Sequence, residues 1–110
     1  MASHEPDRIV KVYQPGTLTV IGFDGRDVLD DVNVADCKTE IAEIVRRHQC
    51  RVLAVDLTGV KFIPSGLLGL LASLREIVPE VHLYNPSPDV REVLEITRLD
   101  QIMPIHEVEL

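Results

Sequence analysis

A chain of 110 residues that is 45% hydrophobic, 26% charged and only 4% aromatic has the makings of one globular domain with a core of Val, Ile and Leu. Its net charge of -7 comes from 18 acidic residues against 11 basic ones, and the basic ones gather nowhere; even Arg46 and Arg47 sit near Glu40 and Glu43. A nucleic-acid binder needs a positive face to displace counterions from phosphate, so direct binding to DNA or RNA is not expected.

Residues 1–7 are polar and read as a flexible leader, with the domain proper over 8–110. The leader has no apolar signal-peptide segment, and no apolar run approaches the roughly 20 residues that span a bilayer. A cytoplasmic protein without membrane insertion is expected. Ile9, Val10, Val12 and Tyr13 make a short β-rich run that stops at the turn signal Pro15-Gly16. Thr17 to Phe23 is a second such run, so the pair reads as a hairpin ended by Asp24-Gly25.

From Val34 the period changes. Val34, Cys37, Ile41, Ile44, Val45 and His48 recur at steps of three and four, one face of a helix over 34–48 with Asn33 as its cap. Arg46 and Arg47 near its end suit the helix dipole. Arg51 to Leu57 is a compact apolar run between two helices and reads as the central, buried strand. Ser65 to Ile77 carries Leu67, Leu70, Leu71 and Leu74 on one face, a second helix. Val81 to Tyr84 is a short strand, and Pro88 opens a third helix over 88–97 with Val90, Val93, Leu94 and Ile96. The tail from Leu99 to His106 offers an edge strand interrupted by Pro104. The order β-β-α-β-α-β-α-(β) predicts an α/β fold: a mixed sheet of four to five strands with helices packed against it.

Chemistry is absent from the pattern. No phosphate-binding glycine loop follows a strand, and no nucleophile lies in a recognisable triad. His4, His48, His82 and His106 lack metal-ligand spacing, and His48 with Cys50 reads as a helix-end imidazole and a core thiol. Cys37 and Cys50 match no ligand motif and read as reduced thiols. Neither a cofactor nor a metal is expected, and the chain does not read as an enzyme.

Two segments carry a resemblance. Asp56-Leu57-Thr58-Gly59-Val60-Lys61-Phe62-Ile63-Pro64-Ser65-Gly66-Leu67-Leu68-Gly69-Leu70-Leu71 is a strand end, a Val-x-Phe turn and a serine opening a Leu- and Gly-rich helix. Ser87-Pro88-Asp89-Val90 through Leu94, Thr97, Leu99 and Asp100 is a second landmark at the expected separation. Together they resemble the anti-sigma-factor antagonist (STAS) family over roughly residues 8 to 107. The resemblance implies a protein that binds an anti-sigma factor that is also a serine kinase, and that is switched off when the kinase phosphorylates a serine at a helix start.

The gapless match puts Ser65 at that phosphoacceptor position. Pro64 stands where the family usually has Asp, and Gly66 where it often has a second Ser; a match shifted by one residue would put Pro64 at the phosphosite but abandon Gly69. Read from the residues alone, Ser65 is a helix cap worth about 1 kcal/mol, and cap and phosphoacceptor are compatible. Asp24, Lys61, Pro64, Ser65 and Gly66 form the candidate partner-binding set, although loop charges such as Asp24 and Lys61 are ordinarily just solvated. Phe62 and the leucines of the second helix read as core, and Asp56 as a carboxylate bonding loop amides. A constitutive STAS subunit of a transporter or signalling assembly is the alternative, and a homodimer is compatible with either reading.

Overall fold

Strand and helix alternate much as the hydrophobic period does. The structure, a computed structural model, describes residues 9–108, so the leader expected at 1–7 lies outside the described residues. The strands are β1 (Lys11–Gln14), β2 (Leu18–Gly22), β3 (Val52–Asp56), β4 (Glu80–Tyr84) and β5 (Ile105–His106). The helices are α1 (Val34–His48), α2 (Ser65–Ser73) and α3 (Pro88–Ile96), with short 3-10 turns at Leu74–Glu76 and Leu99–Gln101.

The sheet runs β1-β2-β3-β4-β5, with β1 antiparallel to β2 and every later pair parallel. Strand order thus equals chain order. Right-handed crossovers that always step the same way put every helix on the same face. Burial agrees: Ile21, Leu53, Val55, Val81 and Leu83 point to one side and share a single core with α1, α2 and α3. The opposite side chains, among them Leu18, Val20, Ala54, His82 and Tyr84, belong to a face that no helix covers. β3 is central, as its apolar run predicts, with Leu53 and Val55 fully buried.

Local chemistry sets the ends. Asn33 caps α1 by accepting from the Asp36 amide at 2.9 Å, and Gln49 closes it in the left-handed region. Ser87 caps α3 by accepting from the Val90 amide, with Pro88 at the first helical position. The second helix is shorter than the expected 65–77: it tightens to 3-10 after Ser73, ahead of Pro79. The first strand begins at Lys11 rather than Ile9, because the amides of Ile9 and Val10 donate to the Glu40 carboxylate on α1, each at 3.0 Å. That carboxylate ties the chain's entry to the helix layer.

Cys37 and Cys50 are both free and buried, as expected of reduced thiols. Burial, reinforced by the Glu40 charge, pushes the Cys37 thiol up from 9.0 to about 12. A thiol whose folded value is raised adds stability that is complete below pH 9 and is lost as pH rises towards the folded value. The stability margin of the native chain over Cys37→Ala should therefore narrow by about 1 kcal/mol between pH 8 and pH 10. Urea unfolding at the two pH values measures it; a constant margin would show that the thiol is solvated.

Candidate functional site

Parallel strands all end on the same side, so the loops after β2, β3 and β4 gather at one edge of the sheet. The loop after β3 is held from within. Asp56 Oδ1 accepts from the Thr58 amide at 3.0 Å and from the Thr58 hydroxyl at 2.6 Å. Val60 N–H closes a turn on Leu57 O, with Gly59 at φ +83° supplying the positive angle that such a turn needs. Asn85, after β4, donates its side-chain amide to Thr58 Oγ1 at 3.3 Å. Asp56 is thus a loop-building carboxylate, as its position at the strand end suggests.

The loop after β2 docks on that frame. Asp27 O accepts from the amides of Lys61 and Phe62, and Val28 forms a parallel bridge with Phe62. Asp24 and Gly25 both lie at positive φ and form a tight turn closed by the Arg26 amide on Phe23 O. The Asp24 amide donates to the Tyr13 hydroxyl, whose ring lies over Gly22 so closely that a Cβ there would stand 2.3 Å from it. Glycine is required at 22 for the ring to sit there.

Of the candidate set, Lys61, Pro64, Ser65 and Gly66 share one continuous loop and helix start. Asp24 faces the other way: its carboxylate pairs with Lys11 of β1 at 3.3 Å, an exposed ion pair. The structure corrects the reading of Ser65 as a helix cap. Pro64, extended at φ -67° and ψ 157°, takes the cap position, and Ser65 is the exposed first residue of α2. With proline there, no side chain caps this helix, and its first amides are left for another acceptor.

Phe62 is a second correction. It is 50% exposed rather than core, because the loop turns Val60 and Ile63 inward and Lys61 and Phe62 outward. The leucines Leu67, Leu68, Leu70 and Leu71 are buried as expected. Phe62 and Lys61 edge a groove of about 190 Å³ against Asp89, Val90 and Val93 of α3. Val28, bridged to Phe62, and Val93, in the groove, are further exposed apolar side chains at this edge, and Ile96 is exposed at the far end of α3. On α3 the sequence held a faint signal: Val90 and Leu94 form the buried stripe, whereas Val93 and Ile96 form a second stripe turned away from it.

A family profile described as STAS domain matches residues 9–109. The chain belongs to the STAS family. Its fold is shared with an anti-sigma-factor antagonist (STAS) domain protein from Planctomyces limnophilus, at 24% identity over 91% of each chain and a TM-score of 0.74. It is shared equally with the anti-sigma factor antagonist SpoIIAA in its unphosphorylated form, at 18% identity over 91% of this chain and 86% of that one, TM-score 0.74. An anti-sigma factor antagonist from Mycobacterium paratuberculosis is 22% identical over 93% and 88% of the two chains, with a TM-score of 0.72. No curated protein matches the sequence.

Within this STAS domain the described residues contain no group of three or more His, Cys, Asp or Glu side chains fit to hold a metal ion, and no helix long and apolar enough to cross a membrane. What the site offers is a shaped surface carried on the Asp56 hydrogen bonds. Asp56→Ala should cost about 1 kcal/mol by removing both bonds to the exposed Thr58, whereas Asp56→Asn, which keeps an acceptor oxygen, should cost less than half as much. Urea denaturation of both variants measures this. Equal losses would mean that the charge, not the acceptor, holds the loop.

Proposed function

We propose that this STAS domain is a binding module of the anti-sigma-factor antagonist kind, which docks a partner on the loop cluster around Ser65 rather than catalysing a reaction. The observation that carries the reading is an exposed serine at the first position of α2, three residues from an exposed phenylalanine. Phe62 has the character of an anchor: a large apolar side chain, half in solvent, beside a groove. The partner is an anti-sigma factor with serine-kinase activity, which places the encounter in the cytoplasm.

The switch is phosphorylation of Ser65. A phosphate there carries about -1.5 to -2 charges, which the uncapped amides of α2 can stabilise in the free domain. Against an apolar partner surface the same charge must lose its water, so the complex dissociates. Pro64 favours a second reading. It fixes the backbone ahead of Ser65 and supplies none of the acidity that usually stands there, which suits a constitutive subunit whose serine is never modified.

Ser65→Asp should weaken binding to the cognate kinase at least tenfold, and Ser65→Ala should bind normally yet resist phosphorylation. Phe62→Ala should also weaken binding about tenfold, with little change in unfolding midpoint, since the ring is half exposed. Calorimetric titration and mass spectrometry after incubation with kinase and ATP measure these. Unmodified Ser65 together with full affinity of Ser65→Asp would favour the constitutive subunit.

A further inference from the structure

Two histidines that are 24 residues apart in sequence meet on the uncovered face of the sheet. His82 on β4 and His106 on β5 approach with Nδ1 of the first 2.8 Å from Nε2 of the second. Their ring centroids are 5.0 Å apart and their planes differ by 24°, so the rings lie edge to edge and nearly coplanar. Both nitrogens therefore point at each other along one line. Lone pairs so directed converge on no third position, and a proton rather than a metal ion fits between them.

On its far side, His82 Nε2 meets Glu80 Oε1 at 3.1 Å. Tyr84 stacks on His106 at 4.7 Å between centroids.

The proton count across this contact is limited. With one or no net charge on the pair, one ring donates and the other accepts. With two, both facing nitrogens carry hydrogen, and an N–H would confront an N–H at 2.8 Å. The second proton must break the contact.

We propose that the His82–His106 pair is a proton-operated latch that holds β5 and the segment after it against the sheet, and opens when both imidazoles are charged. Ile105 packs against the core, and past it the described segment is held by a handful of polar contacts. β5 has two residues, bonded through the Leu83 amide to Pro104 O and the Asn85 amide to His106 O. Beyond it, Val108 N–H donates to Asn85 Oδ1 at 2.7 Å, and Glu107 pairs with Arg91 of α3. Val108 in turn rims an apolar hollow of about 230 Å³ floored by Leu18, Val20 and Ala54. Opening the latch frees that rim and uncovers the hollow.

The charged groups around the pair do not remove the conflict. Glu80 meets only the outer nitrogen of His82; Asp56 of β3, in register with Tyr84, is engaged by Thr58; Glu107 is engaged by Arg91. Imidazoles change charge between about pH 8 and 5, whereas ordinary carboxylates titrate lower, so the window from about pH 7.5 to 5.5 isolates the histidines.

Two readouts on the full chain test the latch. Imidazole ¹⁵N shifts should show His82 and His106 taking up protons in two separated steps, as coupled groups do. Hydrogen-exchange protection of the Leu83, Asn85 and Val108 amides, corrected for intrinsic rates, should fall at least fivefold over that window while Ile21 and Val55 hold. His106→Gln, which can still hydrogen-bond but not titrate there, should abolish the fall. Independent single-step titrations, an unchanged protection, or the same fall in His106→Gln would each overturn the proposal.

Discussion

Everything on the surface of this domain follows from one topological constraint: the parallel strands are laid down in chain order, so each crossover returns in the same sense. Helices are then confined to one side. They bury Ile21, Leu53, Val55, Val81 and Leu83 in a single aliphatic core, and none of the described helices lies on the other side of the sheet. The same constraint points β2, β3 and β4 in one direction. Their outgoing loops must meet at one edge, where they hydrogen-bond to each other as well as to the strands.

That edge shows how an exposed loop surface can be built without being loose. The Asp56 carboxylate, the Gly59 turn and the Asn85 bridge stiffen the segment after β3, and the amides of Lys61 and Phe62 fasten it to the loop after β2. A surface built this way would present Phe62 and Ser65 to the proposed partner with little ordering left to do. Pro64 keeps an extended entry into α2 without bringing a charge to the surface beside Ser65.

Much of this could be read from the residues. The three-and-four spacing in α1 marks a helix by its period, and the short run Val52–Asp56 reads as a buried strand through its length, its valines and the helices on either side. The Ser65 position was legible through its place in a motif. Its lack of a capping role was not, since proline at the cap is decided by one backbone angle. Phe62 was misread because hydrophobicity records what a side chain prefers and not which way a short loop turns it. Glu40 reaching Ile9 and Val10, and His82 meeting His106, join residues more than 20 positions apart, and no local pattern announces such pairs.

The central claim is that the partner docks on the loop edge and not on the bare face of the sheet. Amide chemical-shift mapping of the labelled domain, titrated with its cognate anti-sigma kinase, tests it most directly. The account predicts shifts clustered at Val28, Lys61, Phe62, Ser65, Gly66 and Val93. Shifts centred instead on Leu18, Val20, Ala54 and Tyr84, with the Ser65 loop undisturbed, would contradict it.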